Sequence, residues 1–180
     1  PAELGMLASV GVTEVSVRRR PRVAFFSTGD ELRSVGEPLE KGQIYDSNRY
    51  TIQGMRTRIG VETIDMGVVR DIQSDVEEAF AKAAEQADAV VTSGGVSVGD
   101  ADYVQETLEK MGSVGFWKVA VKPGRPIAFG RVGDALFFGL PGNPVSAMVT
   151  FYQMVQPALR ALAGMPDEGA PLTVTAVCGE

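Results

Sequence analysis

The apolar residues of this 180-residue chain are grouped in short continuous runs, each followed by small and polar residues. Three such runs lie at residues 23–26, 64–69 and 89–91, of which the second is interrupted by Asp65 and Gly67. Runs of this length predict strands that are buried on both faces of a parallel sheet.

Apolar residues with helical spacing lie between and after these runs. They predict helices over residues 48–59, 74–86 and 102–111, and a long helix over 143–163 that Pro157 divides or kinks. The predicted caps are Asp46 and Ser47 for the first helix, and a capping box of Ser74 and Glu77 for the second. The regular alternation of strands and helices predicts an α/β fold with a mostly parallel sheet.

Other alternating segments extend this pattern towards both ends. Residues 127–129 and 136–138 flank a polar turn at 131–134 and predict a β-hairpin. Residues 1–11 predict a short helix, Val15 and Val17 a short strand, and residues 172–177 a final strand. The last segment has no evident partner strand nearby, so we expect the chain to be an excised piece of a larger protein.

Composition excludes several kinds of chemistry. The net charge is −6, from 17 Lys and Arg against 23 Asp and Glu, which argues against nucleic-acid binding through bulk positive charge. There is no histidine, so Ser–His and Cys–His nucleophiles and His-containing zinc sites are excluded. Cys178 is the only cysteine, which excludes an internal disulfide and fits a reducing compartment. No apolar run approaches the roughly 20 residues of a membrane helix, and no signal peptide is evident.

The most polar loops follow the predicted strands, where parallel sheets bind ligands. The loop after the first strand contains Thr28, Gly29, Asp30 and Glu31, and that after the second contains Arg70 and Asp71. The loop after the third strand spans residues 93–102, with glycines, hydroxyls and two carboxylates. Glycines let backbone amides approach an anion, and Asp100 and Asp102 are suitable ligands for a hard cation such as Mg²⁺. A turn with one helix-capping aspartate explains the same residues equally well.

Two further loops predict anion binding. Lys122 and Arg125 lie in a segment stiffened by Pro123 and Pro126, which suits an oxyanion clamp or a plain structural turn. Residues 139–146 join a strand to the long helix, with Asn143 as predicted cap and Pro144 at the first helical position. The backbone amides there and the Ser146 hydroxyl suit a tetrahedral oxyanion, although capping alone explains Asn143 and Pro144. Neither G-x-x-x-x-G-K-[ST] nor G-x-G-x-x-G is present.

Together these segments resemble the molybdenum cofactor biosynthesis family, most closely the molybdopterin molybdenumtransferases (MoeA) and the related E domain of gephyrin. The resemblance covers essentially the whole chain, in order. It rests on five segments: Ser27-Thr28-Gly29-Asp30-Glu31-Leu32, Gly42-Gln43-Ile44-Tyr45-Asp46-Ser47-Asn48, Ser93-Gly94-Gly95-Val96-Ser97-Val98-Gly99-Asp100-Ala101-Asp102-Tyr103, Lys122-Pro123-Gly124-Arg125-Pro126 and Gly139-Leu140-Pro141-Gly142-Asn143-Pro144-Val145-Ser146.

The resemblance implies a domain organisation. It implies a three-layer α/β/α sandwich with a mostly parallel sheet, the MogA-like molybdopterin-binding fold, over residues 21–164. Residues 1–20 are then expected to be the end of a preceding β-rich domain and its linker. Residues 165–180 are expected to be the start of a C-terminal β-barrel domain, so that partial β segments flank the sandwich.

The resemblance also implies a reaction, in which molybdate is inserted into adenylylated molybdopterin with Mg²⁺-dependent release of AMP. It implies Glu31, Asp71 and Asp102 as catalytic residues, and Asp100, Asp102 and Glu31 as metal ligands. The implied substrate-binding residues are Thr28, Gly94, Gly95, Ser97, Lys118, Lys122, Arg125, Pro141, Asn143, Pro144 and Ser146. We further expect a cytoplasmic protein, homodimeric at full length, in contact with a MogA-type adenylyltransferase and bound to neither nucleic acid nor membrane.

Three alternatives belong to related or different classes. A MogA-type adenylyltransferase shares the sandwich but typically has a Gly-Gly-Thr-Gly loop where this chain has Gly94-Gly95-Val96-Ser97. A CinA-like domain also differs in that loop. A non-catalytic, gephyrin-like scaffold is the third alternative, which the intact carboxylates Glu31, Asp71 and Asp102 argue against.

Overall fold

The computed structural model describes residues 2–94, 103–122, 126–165 and 174–175. The strands are β1 (Arg22–Thr28), β2 (Leu32–Arg33), β3 (Ile44–Tyr45), β4 (Glu62–Val69), β5 (Ala89–Ser93), β6 (Gly112–Lys118), β7 (Pro126–Val132) and β8 (Ala135–Leu140). The α-helices are α1 (Ala2–Ser9), α2 (Ser47–Ile59), α3 (Gln73–Gln86), α4 (Tyr103–Met111), α5 (Pro144–Thr150) and α6 (Gln156–Leu162), with a π-helical turn over Phe151–Val155.

Six strands form one sheet in the order β4-β1-β5-β8-β7-β6, while β2 and β3 pair separately. The first four strands of this order run parallel to one another, and β7 and β6 continue the sheet in antiparallel fashion. The predicted mostly parallel α/β sheet is therefore confirmed. The predicted burial of the 64–69 strand on both faces is wrong, because β4 is the edge strand and none of its residues is buried. Parallel neighbours place the ends of β1, β5 and β8 side by side, since Ser27 pairs with Ser93 and Ser93 with Leu140.

Helices cover both faces of the sheet. Phe26 of β1 faces one apolar cluster with Phe80 of α3 and Leu108 of α4. The next residue back, Phe25, faces a second cluster with α2, α5 and α6. Successive side chains of a strand point to opposite faces, so the continuous apolar run of β1 serves both layers. The sandwich of the sequence prediction is thus present.

Helix ends follow local capping chemistry in one case and depart from it in another. Helix α2 begins after Asp46, whose carboxylate accepts a hydrogen bond from the Arg49 amide at 3.1 Å, as predicted. The capping box predicted at Ser74 and Glu77 is wrong, because the helix starts one residue earlier, after Ile72. Ser74 therefore lies inside the first turn, where its hydroxyl bonds to a neighbouring carboxylate and not to a free helix amide.

The predicted hairpin is present, but its turn is shorter than expected. Strands β7 and β8 stay paired up to Val132 and Ala135, which leaves only Gly133 and Asp134 in the turn. Gly133 has a φ of 57°, a left-handed conformation that favours glycine. Strand β6 was not predicted from the sequence; its antiparallel pairing with β7 stabilises it.

The predicted long helix consists of three consecutive helical segments, namely α5, the π-helical turn and α6. The amide of Gln156 donates to the carbonyl of Phe151, five residues earlier, at the end of the π-helical turn. Pro157 lies in the first turn of α6, and it lacks the amide that an α-helical bond to Gln153 would need. The predicted division at Pro157 is therefore confirmed.

The predicted N-terminal helix is present as α1, which buries no residue. The short strand predicted at Val15 and Val17 is wrong: residues 12–21 form no strand, and both valines are exposed because no described strand lies alongside them. Of the predicted final strand at 172–177, only Val174 and Thr175 are described, outside any strand, and the rest lies outside the described residues. Among the residues that the structure describes, no helix is both long and apolar enough to cross a membrane.

Helix α2 is held to the sheet by a buried cation. Arg56 is fully buried; it donates to the carbonyl of Val23 at 2.9 Å and to the side-chain oxygen of Gln53 at 2.6 Å. Its guanidinium lies 5.2 Å from the ring centre of Phe25. Burial lowers the pKa of Arg56 to about 10. These contacts orient α2, and thereby the residues at its N-terminal end, against β1.

Candidate functional site

The ends of β1, β5 and β8 border a cleft with a volume of about 180 Å³. The start of α2 and the short strands β2 and β3 close its other side. The described residues that line it are Thr28, Glu31, Leu32, Ile44, Tyr45, Asp46, Ser47, Asn48, Ser93, Gly94, Gly142 and Pro144. Four of the predicted site residues, Thr28, Glu31, Gly94 and Pro144, are thus brought to one cleft at the edge of the sheet where parallel folds bind ligands.

The end of β5 touches the end of β1 at a position where any side chain would force the strand ends apart. Gly94 has a φ of 89°, and a Cβ atom there would lie 2.3 Å from the backbone oxygen of Thr28. Thr28 itself is buried, and its hydroxyl has no hydrogen-bond partner among the residues that the structure describes. The sequence predicted a permissive glycine at this place, and the close backbone approach is its physical reason.

The Glu31 carboxylate folds back over the turn after β1. A Cβ atom at Gly29 would lie 2.7 Å from one carboxylate oxygen of Glu31, and Gly29 has a φ of 152°. The amide of Leu32 donates to the carbonyl of Gly29 at 3.1 Å, and the amide of Ile44 donates to the carbonyl of Glu31 at 2.9 Å. This tight turn places the carboxylate of Glu31, which is exposed, at the rim of the cleft.

Asp71, after β4, lies beside the same turn. Its amide donates to a carboxylate oxygen of Asp30 at 3.2 Å. Burial raises the pKa of Asp71, and the negative charges of Asp30 and Glu31 raise it further. Asp71 therefore holds a proton to a higher pH than an ordinary aspartate, which suits a group that exchanges protons with a substrate.

The structure describes only part of the predicted set of metal ligands. Within the described ranges, no group of three or more cysteine, aspartate or glutamate side chains is placed to hold a metal ion. Asp100 and Asp102, which the sequence nominates with Glu31, lie outside the described residues. Carboxylate oxygens are the donors that Mg²⁺ prefers, so the nominated residues fit this ion chemically. Their joint role stays a prediction.

A hydrogen bond between two of its own residues holds the turn between β8 and α5. The side chain of Asn143 accepts a hydrogen bond from the Ser146 amide at 3.1 Å, and Pro144 is the first helical residue. The predicted cap is therefore confirmed. Pro141 and Ser146 are buried, so the Ser146 hydroxyl is largely withdrawn from solvent.

The predicted cationic positions lie elsewhere or outside the described residues. Lys118 is the last residue of β6 and pairs with Pro126 of β7 across the segment that joins these strands. Lys122 is exposed and is not among the described residues that line the cleft. Gly95, Ser97 and Arg125 lie outside the described residues.

One residue of the cleft was quoted in the sequence pattern but not selected as a site residue. Asn48, in the first turn of α2, donates from Nδ2 to the Ser93 hydroxyl oxygen and to the Gly142 carbonyl, both at 2.8 Å. Its partners lie 45 and 94 residues away along the chain. The only sequence signal was its position directly after the capping residues of a helix.

A second groove, with a volume of about 420 Å³, lies on the outer side of the same turn. Arg33 and Arg70 line it, and sequence reasoning did not select either as a ligand. Arg33 donates to the carbonyl of Asp30 at 3.0 Å, and Arg70 pairs with Asp75. Both cations thus already have partners within the chain.

Comparisons with known proteins agree with this arrangement. Residues 24–161 match the family model described as "Probable molybdopterin binding domain". The chain is 51% identical over 177 residues to a protein of Haemophilus influenzae named molybdopterin molybdenumtransferase, covering 98% of this chain and 44% of the relative. It is 34% identical over 206 residues to gephyrin of Dictyostelium discoideum, covering 98% of this chain and 29% of the relative.

A solved structure shows the same architecture. The MoeA molybdopterin biosynthesis protein of Pyrococcus horikoshii superposes with a TM-score of 0.80 at 36% identity, over 91% of this chain and 40% of that protein. The chain thus spans less than half of the length of each of these three relatives.

Proposed function

This chain belongs to the family of probable molybdopterin binding domains, and from that premise we propose that it is the molybdopterin-binding part of a molybdopterin molybdenumtransferase. The observation that carries the proposal is the 51% identity to a relative of that name over nearly the whole chain. The cleft at the ends of β1, β5 and β8 is the proposed binding site.

The proposed organisation places residues 21–164 in this sandwich. Residues 1–20 would end a preceding β-rich domain, and residues 165–180 would begin a C-terminal β-barrel domain. Two facts support this: the chain covers 44% of its bacterial relative, and α1 buries none of its residues within the described chain.

In the proposed reaction, molybdate enters the dithiolene of adenylylated molybdopterin and AMP is released. Molybdate and the substrate's pyrophosphate are both anionic, so backbone amides and cations suit their binding. Gly94, whose backbone lies against β1, would line the site with Thr28. Lys118, Lys122 and Arg125 would supply positive charge, with Gly95 and the Ser97 hydroxyl beside them.

Further contacts would come from the loop after β8, through Pro141, Asn143, Pro144 and Ser146. The cap between Asn143 and Ser146 holds this loop in a fixed conformation. The loop would thus present one preformed surface to the substrate.

The carboxylates would divide between proton transfer and metal binding. Asp71 is the proposed proton carrier, since burial and the adjacent charges of Asp30 and Glu31 raise its pKa. Glu31 would act beside it at the rim of the cleft. Mg²⁺, held by Glu31, Asp100 and Asp102, would supply positive charge to the phosphate groups when bound.

The remaining parts of the proposal concern the protein's surroundings. We propose that it acts in the cytoplasm, is a homodimer at full length, and receives adenylylated molybdopterin from a MogA-type adenylyltransferase. The single cysteine and the absence of histidine fit this carboxylate-based chemistry in a reducing compartment. Because relatives are more than twice as long, we expect the 180-residue chain alone to be weakly active or inactive.

The test uses the longer protein that contains these residues. Release of AMP from adenylylated molybdopterin is measured with and without molybdate and Mg²⁺. We expect release to require both, and Asp102→Ala to abolish it. No release by the unchanged protein, or equal release by the variant, would contradict the proposal.

A further inference from the structure

The loop after β8 is tied to the rest of the cleft by three successive backbone carbonyls. Each accepts a hydrogen bond from a different group that lies far away in the sequence. The three bonds run from the Gly94 amide to Leu140 at 3.3 Å, from the Ser93 hydroxyl to Pro141 at 3.5 Å, and from Asn48 Nδ2 to Gly142 at 2.8 Å.

The side chain of Asn48 joins two of these bonds into one network. A carbonyl can only accept, so the oxygen of Gly142 requires the nitrogen of the Asn48 amide to face it. The second hydrogen of that nitrogen points to the Ser93 oxygen, 2.8 Å away. The hydroxyl hydrogen of Ser93 is then left to donate to the carbonyl of Pro141. Every donor in this network has an acceptor.

Burial protects the two short bonds of Asn48 Nδ2, while the bond from Ser93 to Pro141 is long at 3.5 Å and Asn48 Oδ1 has no hydrogen-bond partner among the described residues. Asn48 is 8% exposed and Ser93 is 2% exposed, so water competes poorly for these bonds. The anchor is itself fixed, because Asp46 caps the first turn of α2 and Arg56 holds the helix to β1. The amide of Asn48 therefore links a fixed helix both to the end of β5 and to the loop after β8.

We propose that Asn48 is a positioning residue that fixes the end of β5, at Ser93 and Gly94, relative to the start of the loop after β8. The substrate would bind in the cleft that these two segments line, and this part of the inference rests on the proposed function. Without the Asn48 bridge, the Gly142 carbonyl and the Ser93 hydroxyl lose their shared donor. Gly142 is then tied to β5 only through the strand pairing of β5 with β8 and the bond from Gly94 to Leu140, so the cleft is held less firmly in the shape that the ligand needs.

The first experiment does not depend on any activity. Amide hydrogen exchange of Gly94 is measured by NMR in the 180-residue chain and in Asn48→Ala. Because the Gly94 amide is bonded to the carbonyl of Leu140, we expect its exchange to become at least tenfold faster than the change in global stability explains. Ser93→Ala should also make the exchange of the Gly94 amide faster, and it replaces Asn48→Ala in this experiment if that variant does not fold.

Asp88→Asn is the matched control. Asp88 accepts hydrogen bonds from the Arg19 side chain and the Arg22 amide, at the opposite edge of the sheet. This variant weakens an exposed bond to Arg19 and a half-buried bond to the Arg22 amide, but it should leave the exchange rate of the Gly94 amide unchanged. If Gly94 exchange is unchanged in Asn48→Ala and in Ser93→Ala, or rises equally in Asp88→Asn, the positioning role is refuted.

The second experiment measures AMP release in the longer protein. For Asn48→Ala we expect the KM for adenylylated molybdopterin to rise about tenfold and kcat to change less than threefold. Asp88→Asn should leave both constants unchanged. If Asn48→Ala is less stable but has an unchanged KM, the role of Asn48 is only structural and the proposal is overturned. If the unchanged protein releases no AMP, the proposed function fails, and Gly94 exchange decides the positioning role by itself.

Discussion

The contact between Gly94 and the backbone of Thr28 offers the sharpest test of the site geometry. A Cβ atom at position 94 would lie 2.3 Å from the Thr28 oxygen, whereas ordinary contacts begin near 3.4 Å. Gly94→Ala must therefore displace one strand end by about 1 Å. The partner atom belongs to the backbone of β1, so no side-chain rotation can relieve the contact.

The expected cost has two parts. Alanine at a φ of 89° is strained by about 1–2 kcal/mol, and overpacking between strand ends adds about 1–3 kcal/mol. We therefore expect Gly94→Ala to lower the free energy of unfolding by about 3 kcal/mol. For a chain of this size the loss corresponds to a decrease in Tm of roughly 6–12 °C.

Gly142→Ala is the matched control in the loop after β8. A Cβ atom at Gly142 would meet nothing within 4 Å, and its φ is not positive. Its free energy of unfolding should stay within about 1 kcal/mol of the original chain. Urea denaturation followed by circular dichroism measures both variants. Equal stabilities for the two variants would show that the close approach of β1 and β5 is not as described.

Two further predictions concern charges. Bonding to Arg19 holds the pKa of Asp88 at about 2, below the ordinary 3.8. At pH 7, Asp88→Asn should therefore lower the free energy of unfolding by about 1 kcal/mol. This difference in stability from the original chain should vanish as the pH falls from 4 to 2, because Asp88 then becomes protonated. A difference that does not depend on pH would exclude the ionic contribution. Burial, followed by Asp30 and Glu31, raises the pKa of Asp71. Asp30→Asn should lower that pKa in an NMR titration of the carboxyl carbon, and an unchanged value would assign the whole shift to burial and Glu31.

Local chemistry explains which elements were predictable. The strands β1 and β5 are buried on both faces, and for this reason their sequences are short continuous apolar runs that can be recognised directly. The limits of α2 follow from the Asp46 cap and from Gly60, whose φ of 80° ends the helix. The cap of α5 at Asn143 is equally local. For both helices the deciding interaction lies within four residues along the chain.

Elements that depend on distant partners were missed or misjudged. Strand β6 forms because β7 offers it a row of hydrogen-bonding groups, and Val15 and Val17 form no strand because no described strand offers them such a row. Propensity for strand structure is largely a measure of fit to a neighbouring strand. A short alternating segment therefore predicts a strand only when its partner is known.

The candidate site divides in the same way. The sequence alone determined the α/β class with a mostly parallel sheet, the carboxylates of the loops after β1 and β4, and the glycine at position 94, because burial patterns and backbone freedom depend on residue type. Only the tertiary structure decided that Gly94 lies against Thr28, that Asp30 helps to raise the pKa of Asp71, and that Asn48 joins the end of β5 to the loop after β8. These contacts join residues up to 94 positions apart, and they exist because parallel pairing places the carboxyl ends of β1, β5 and β8 at one edge of the sheet.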